Sequence, residues 1–129
     1  MGLKSILIVD DEQAIRDFLS FGLAKEGFNI ITAENGLDGL IQSKQHHPAL
    51  IILDIRMPLM DGIEMCRKLK ANKILQNIPI LFLTADTDEY LALSSIIAGG
   101  DQYVTKPVHI KEIVRMIKDL IKNHEDVPS

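Results

Sequence analysis

The sequence predicts a single α/β domain built on a parallel five-stranded sheet. Five short apolar runs alternate with five helical patterns, which is typical of βαβ units. The run at residues 50–53 is continuously apolar, as expected for a strand that helices cover on both faces. A chain of 129 residues has the length of one domain, so we predict one domain over residues 1–129. Its core covers about residues 4–124, followed by a polar tail at 125–129.

The first half of the chain contains three predicted strands and two helices. The first strand is the apolar run 6–9, and the helix after it ends at a C-cap glycine, Gly27. This helix presents one apolar stripe at helical spacing, made of Ile15, Phe18, Leu19, Gly22 and Leu23. Residues 28–33 form a more polar second strand, which favours a position at the sheet edge. A short second helix ends before Pro48 and leads into the third strand.

The second half follows the same alternation. A loop at residues 56–62, broken by Pro58 and Gly62, precedes the third helix. The fourth strand ends at Thr84, and Asp88 is the expected N-cap of a fourth helix that two glycines terminate. The last helix, at about 110–123, carries a regular apolar stripe: Ile110, Ile113, Val114, Ile117, Leu120 and Ile121.

The composition excludes several classes of protein. The net charge of −4 gives no electrostatic footprint for direct nucleic-acid binding, and no apolar run approaches the ~18 residues of a membrane span. The single Cys66 excludes an internal disulfide and fits a reducing cytoplasm, so we expect a core thiol in a cytoplasmic protein. The four histidines (His46, His47, His109 and His124) show no metal-ligand spacing.

Polar side chains follow the ends of four predicted strands. Asp10 and Asp11 follow the first strand, and Asp54 ends the third. Thr84 ends the fourth, and Lys106 follows the short fifth strand. The carboxyl ends of parallel strands lie at one edge of a sheet, where such sheets bind ligands. These residues are therefore expected to form one site.

Carboxylates gathered in this way indicate metal-assisted phosphoryl chemistry. Two carboxylates ~4 Å apart repel by about 4 kcal/mol at an effective dielectric near 20, so a hard cation such as Mg²⁺ is expected to compensate them. Asp54 stands singly on the central strand and is the candidate nucleophile, whereas the paired Asp10 and Asp11 suit metal binding. Lys106 and the Thr84 hydroxyl could then bind phosphoryl oxygens.

Each residue also has a purely structural interpretation. Asp10 and Asp11 could cap the first helix, and Asp54 could simply end a strand. Thr84 could bond its own turn, and Lys106 could be a solvated surface lysine. The four pieces together are more specific, because they fall on strands that would be neighbours in a 1-3-4-5 order.

Taken together, these motifs resemble the response-regulator receiver domain of two-component signal transduction, including its chemotaxis-regulator-like members. The resemblance rests on Val9-Asp10-Asp11-Glu12, on residues 53–62 around Asp54, on Leu83-Thr84-Ala85, and on residues 103–107. It implies a flavodoxin-like (βα)5 fold, a three-layer sandwich with strand order 2-1-3-4-5. It also implies that Asp54 accepts a phosphoryl group from a sensor histidine kinase or a phosphotransfer protein.

The same resemblance assigns roles within the site. It implies Mg²⁺, with Mn²⁺ as an alternative, held by Asp10, Asp11, Asp54 and the backbone carbonyl of Arg56. Thr84 and Tyr103 would form a switch pair, and the Lys106-Pro107 peptide bond would be cis. Arg56 and Asp86 would flank the mouth of the site and gate water attack on the phosphoryl group. Whether the chain counts as an enzyme stays open, since it would catalyse only its own phosphorylation and slow dephosphorylation.

Other classes fit less well. A flavodoxin-like nucleotide binder needs a Gly- or hydroxyl-rich loop after the first strand, where this chain has three acids. A haloacid-dehalogenase-type phosphatase needs an Asp two residues after its nucleophile, and that position is Arg56. A degenerate receiver that only docks partners would have lost Asp54 or Lys106. A free-standing regulator and a receiver fragment of a larger DNA-binding regulator or hybrid histidine kinase remain open.

The fourth helix bears on partners. Transcription-factor receivers commonly dimerise through a charged face on the fourth helix, fifth strand and fifth helix, but Ala92 and Ser94 occupy its expected basic positions. Gln102 likewise replaces one of its paired acids. We therefore expect a monomer, with an output partner of unknown identity docking at Tyr90, Leu91 and neighbouring surface; the alternative is that these two side chains only fill the core.

Overall fold

The computed structural model describes residues 3–85 and 89–126, and within them five parallel strands alternate with five helices. The strands are β1 (Ser5–Val9), β2 (Asn29–Ala33), β3 (Leu50–Asp54), β4 (Ile80–Thr84) and β5 (Gln102–Thr105). The helices are α1 (Gln13–Lys25), α2 (Gly36–His46), α3 (Gly62–Lys70), α4 (Glu89–Ile97) and α5 (Ile110–Asp126).

The strands lie in the order β2-β1-β3-β4-β5, so the predicted flavodoxin-like (βα)5 topology is confirmed. The more polar second strand lies at a sheet edge, as its composition indicated. The continuously apolar β3 is central and buried along its whole length. The site that follows β3 is therefore anchored on a central strand that is buried along its whole length.

Alternate residues of the inner strands face opposite helical layers. On one face, Val9, Leu53 and Phe82 belong to a core cluster shared with α2, α3 and α4. On the other face, Ile8 and Ile52 pack with α1 and α5. Both faces of the sheet are thus covered, which explains why the inner strands are apolar without alternation.

The helix ends follow local capping chemistry. Asn35 caps α2 by accepting a hydrogen bond from the Asp38 N–H at 2.9 Å. Gly99 ends the turn after α4 with a φ of +114°, a left-handed conformation that glycine adopts without steric cost. The predicted N-cap of α4, Asp88, lies outside the described residues.

Two expectations from the sequence are wrong in detail. The last helix is longer than predicted, because α5 continues through Asp126 and does not end near residue 123. Phe18 belongs to the predicted apolar stripe of α1, but it is 47% exposed, and the stripe narrows to Leu19 and Leu23 at its buried centre. Among the described residues, no helix is long and apolar enough to cross a membrane.

Candidate functional site

Strand register brings the predicted residues to one edge of the sheet. Val9 pairs with Leu53, so Asp10 and Asp54 follow at the same level on neighbouring strands. In turn, Thr84 pairs with Thr105 at the ends of β4 and β5, and Lys106 comes directly afterwards. The four strand ends named from the sequence therefore converge.

Four carboxylates form a compact acidic cluster at this edge. One oxygen from each of Asp10, Asp11, Glu12 and Asp54 lies within 4.8 Å of the others. Asp10 and Asp54 are buried, whereas Asp11 and Glu12 are exposed. Three of the four line an open cleft of about 580 Å³, together with Arg56, Thr84, Ala85 and Lys106.

Lys106 is the cation that enters this cluster. Its Nζ lies 3.1 Å from Asp10 Oδ2, 3.0 Å from Glu12 Oε1 and 3.9 Å from Asp54 Oδ1. The lysine side chain is only 10% exposed, so these contacts are shielded from solvent on the lysine side. The ammonium therefore partly compensates a cluster that carries four negative charges when fully ionised.

Asp10 shows why a second cation fits here. Its Oδ1 accepts a hydrogen bond from the Glu12 N–H at 2.9 Å, whereas its Oδ2 makes no hydrogen bond and has the Lys106 ammonium 3.1 Å away as an ion-pair partner. Within the described residues, it is the one buried side-chain nitrogen or oxygen atom that makes no hydrogen bond. A buried carboxylate oxygen near three further carboxylates offers the hard oxygen ligands that Mg²⁺ prefers.

The acids of the cluster are electrostatically strained. Burial raises the pKa of Asp54 to about 7. The negative charges of Asp10 and Asp11 also raise this pKa, whereas the positive charge of Lys106 lowers it. Burial also raises the pKa of Asp10, despite the hydrogen bond from Glu12 N–H and the nearby ammonium. Burial lowers the pKa of Lys106, but its contacts with Glu12, Asp54 and Asp10 outweigh this and raise it overall. Shifted pKa values of this kind are common at functional sites.

The loop after β3 holds Asp54 in place. The Gly62 N–H donates to the Ile55 carbonyl at 2.8 Å, which folds the loop back over the strand end. Asp61 caps α3 by accepting from the Glu64 N–H at 2.8 Å. At the loop tip, Leu59 adopts a φ of +69° and is largely exposed. Short-range bonding thus fixes the loop that carries Arg56.

The remaining predicted residues of the site lie on β4 and β5. Thr84 is buried, and its carbonyl accepts from the Lys106 N–H at 2.7 Å. Tyr103 is half-buried against the core cluster below the site. The Lys106-Pro107 peptide bond is cis.

Two predicted features lie partly outside the described structure. Arg56 is exposed and lines the cleft, but its predicted gate partner Asp86 is outside the described residues, so the gate stays a prediction. The side chain of Tyr90 is likewise not described. Leu91, expected on an exposed patch, is half-buried against the core cluster. The exposed large apolar side chains of α4 are instead Leu93, Ile96 and Ile97.

The structure also bears on the interpretation of the paired acids as helix caps. The N-cap of α1 is Glu12, and it makes no side-chain capping bond. Asp10 and Asp11 therefore do not cap the helix from the N-cap position. Reasoning from the sequence gave Glu12 no specific role, although its place directly after two acids at a strand end was the available signal.

Comparison with known proteins agrees with this geometry. A sequence model of the family described as "Response regulator receiver domain" matches residues 6–118. The alkaline phosphatase synthesis transcriptional regulatory protein PhoP of Bacillus subtilis (strain 168) is 37% identical over 122 residues, covering 95% of this chain and 50% of PhoP. Response regulator ArlR of Staphylococcus aureus (strain Mu50 / ATCC 700699) is 37% identical over 120 residues, covering 93% of this chain and 53% of ArlR.

The chain spans about half the length of these curated relatives. Among solved structures, a CheY-like response regulator receiver domain protein from Methanospirillum hungatei JF-1 superposes with a TM-score of 0.89 at 31% identity. That match covers 96% of this chain and 98% of the other. Strand order, the acidic edge and these similarities agree, and the chain belongs to the response regulator receiver domain family of two-component signalling.

Proposed function

We propose that Asp54 accepts a phosphoryl group from the phosphohistidine of a sensor histidine kinase or phosphotransfer protein, in a reaction that depends on Mg²⁺. One observation carries the proposal: Asp54 is a buried carboxylate at the end of the central strand, within reach of both the acidic cluster and Lys106. A nucleophile with an adjacent cation and a metal-competent acid cluster suits phosphoryl transfer.

In the proposed transfer, a carboxylate oxygen of Asp54 forms a bond to phosphorus. The bond between phosphorus and the donor imidazole nitrogen breaks, and its electron pair returns to that nitrogen. Lys106 would pair with the transferred phosphoryl group, and the Thr84 hydroxyl would bond another of its oxygens. The position of both residues beside Asp54 at the strand ends supports these roles.

The metal ligands we propose are Asp10, Asp11, Asp54 and the backbone carbonyl of Arg56, with Mg²⁺ as the ion and Mn²⁺ as an alternative. When bound, the ion would neutralise the carboxylates and the phosphoryl oxygens. The Oδ2 of buried Asp10, which makes no hydrogen bond, supports this assignment. These residues would hold the ion beside Asp54, whose side chain is itself buried.

Signalling would follow from Thr84 moving toward the phosphoryl group while Tyr103 turns inward behind it. This would alter the face formed by α4, β5 and α5, where an output partner docks. The exposed Leu93, Ile96 and Ile97 support a partner surface on α4. We further propose that the protein acts in the cytoplasm as a switch whose catalysis is limited to its own phosphorylation and dephosphorylation.

A direct test uses acetyl phosphate as a small phosphodonor and intact mass as the readout. Wild type with Mg²⁺ should gain one phosphoryl group. Asp54→Asn and EDTA-treated wild type should gain none, while Asp17→Asn, which removes an exposed acid on α1, should react like wild type. An adduct of equal yield in Asp54→Asn would mean that another residue is the acceptor.

A second arrangement, the receiver portion of a longer DNA-binding regulator, has specific support. The chain matches about half of PhoP and ArlR, and PhoP is described as a transcriptional regulatory protein. An antibody against this domain, used on an extract of the source cell, separates the two cases. A band near 14.4 kDa supports a free-standing regulator, and a band about twice as large supports the longer one.

A further inference from the structure

Lys106 has an acidic neighbour that the proposed phosphoryl transfer does not use. The Lys106 Nζ lies 3.0 Å from Glu12 Oε1, closer than its 3.9 Å separation from Asp54 Oδ1. The contact also has hydrogen-bond geometry. In the unphosphorylated protein, the ammonium thus lies closer to Glu12, and to Asp10 Oδ2 at 3.1 Å, than to the proposed acceptor.

The local structure leaves Glu12 available for this contact. Glu12 is the N-cap residue of α1, but its side chain makes no capping bond. Its own N–H is satisfied by Asp10 Oδ1 at 2.9 Å. The side chain therefore extends from a fixed backbone position toward Lys106, which comes from the far end of the sheet order.

We propose that Glu12 is a positioning residue that holds the Lys106 ammonium in the unphosphorylated protein and releases it when a phosphoryl group forms on Asp54. The inference rests on the proposed function of Asp54. It assigns to Glu12 an opposing role, since the energy of its contact with Lys106 must be given up when the lysine turns to the phosphoryl group.

Burial explains why the Glu12 contact is the one that breaks. The Glu12 side chain is 59% exposed, so water can solvate its carboxylate after the lysine leaves. The Asp10 side chain is only 2% exposed and has no such replacement. Moving the Lys106 ammonium from Glu12 to the phosphoryl group therefore costs less free energy than moving it away from Asp10.

Beryllofluoride, a mimic of the phosphoryl group on aspartate, provides the test. Glu12→Gln removes the competing charge with little change in shape, so we expect its beryllofluoride dissociation constant, measured with Mg²⁺ by NMR titration, to fall about two- to fivefold. This is the size of an exposed ion pair converted at about 1.4 kcal/mol per factor of ten. The matched control is Glu34→Gln, an exposed acid that directly follows β2 at the same sheet edge.

Glu12→Asp separates reach from charge. It keeps a negative charge at the N-cap of α1 but is one methylene shorter, so it should bind beryllofluoride as tightly as Glu12→Gln. If Glu12 served only the helix dipole, Glu12→Asp would instead match wild type. Equal constants for Glu12→Gln, Glu34→Gln and wild type would overturn the proposal.

Glu12 also lies within the acidic cluster, so direct metal binding is the rival role. Mg²⁺ titration of Lys106→Ala, with and without Glu12→Gln, decides this. Clearly weaker Mg²⁺ binding on adding Glu12→Gln, beyond the change that Glu34→Gln causes, would make Glu12 a ligand and overturn the proposal. If wild type binds no beryllofluoride, or Asp54→Asn binds it equally, the proposed function fails as well. Asp54-dependent binding that Glu12→Gln leaves unchanged would overturn only the role of Glu12.

Discussion

Gly62 packs directly against the backbone of Asp54. A Cβ at position 62 would overlap the Asp54 carbonyl oxygen and lie about 2.9 Å from the Asp54 carbonyl carbon. The Gly62 N–H also donates to Ile55 O at 2.8 Å. The first residue of α3 is therefore wedged against the strand end that carries the proposed acceptor.

Gly62→Ala should destabilise the protein, because the clash is with backbone that cannot move aside independently. We expect a loss of about 2 kcal/mol or more in urea denaturation, at the upper end of ordinary point mutations. Gly27→Ala is a useful comparison, since its Cβ meets no atom within 4 Å and only its φ of +91° is unfavourable. A smaller loss for Gly62→Ala than for Gly27→Ala would contradict the packing explanation.

The raised pKa of Asp54 predicts a pH effect on stability without metal. Burial raises this pKa from 3.8 to about 7 on folding, so the folded state binds the proton more tightly than the unfolded state. The stability of the metal-free protein should therefore fall as pH rises from about 4 to about 7. Asp10, whose pKa burial also raises, acts in the same direction.

Asp54→Asn removes this ionisation and provides the check. In EDTA at pH 8 its Tm should exceed that of wild type by several degrees, taking on the order of 4 °C per kcal/mol for a domain of this size. At pH 4 the difference should shrink, because wild-type Asp54 is then protonated. Thermal melts at both pH values, with Asp17→Asn as the control, test the sign. Equal melting temperatures at pH 8 would contradict it.

Lys106→Ala should separate metal binding from switching. Removing an ammonium 3.1 Å from Asp10 and 3.9 Å from Asp54 should tighten Mg²⁺ binding, by roughly tenfold for a charge-assisted contact. The variant should nevertheless fail to transmit phosphorylation, since no cation draws the end of β5 toward the phosphoryl group. Mg²⁺ titration and NMR of the α4 and β5 amides measure the two effects. Wild-type shifts on activation would exclude Lys106 as the coupling residue.

The predicted Arg56–Asp86 gate concerns the lifetime of the phosphorylated state. Both residues stand two positions after a proposed site residue, Asp54 or Thr84, and Arg56 lines the cleft. An ion pair across the mouth would obstruct the in-line path of water, so Arg56→Ala with Asp86→Ala should speed phosphate loss. The stability effect should be within about 1 kcal/mol, as for exposed pairs. Unchanged hydrolysis at fixed Mg²⁺ would exclude the gate.

The sequence was sufficient for the fold and for the location of the site. A strand that is buried on both faces appears in the sequence as a continuous apolar run, so the inner strands could be located directly. Parallel strands also bring their carboxyl ends to one edge of the sheet. Asp54, Thr84 and Lys106 could therefore be brought together from their positions alone. Family resemblance was needed for the 2-1-3-4-5 strand order, the cis peptide bond, the proposed switch pair and the proposed role of the Arg56 carbonyl.

Long-range packing explains what sequence reasoning missed. The contact between Glu12 and Lys106 joins residues 94 positions apart, and no local pattern reports it. Phe18 fits the helical stripe of α1 but is half exposed, because an apolar spacing defines a face without fixing its width. The tight packing of Gly62 was likewise hidden, since a glycine in a loop reads only as a turn residue.

The last prediction concerns the oligomeric state after activation. In the charged dimer face of transcription-factor receivers, basic residues are expected at positions 92 and 94, but this chain has Ala92 and Ser94 there. Electrostatic pairing of two copies through α4, β5 and α5 should therefore be weaker. Light scattering of the beryllofluoride-activated protein at micromolar concentration should therefore give a monomer near 14.4 kDa. The side chain of Ile97 is 72% exposed, and hydrophobic contact between two copies at this residue would instead give a dimer.

Ile97→Lys distinguishes the causes if a dimer does appear. Loss of the dimer in this variant would show that the apolar surface of α4 replaces the missing charges, and the longer-regulator arrangement would gain support. A dimer that survives Ile97→Lys must use another face. In either case a stable activated dimer contradicts the monomer prediction, whereas a monomer in both proteins leaves α4 free to bind a different partner.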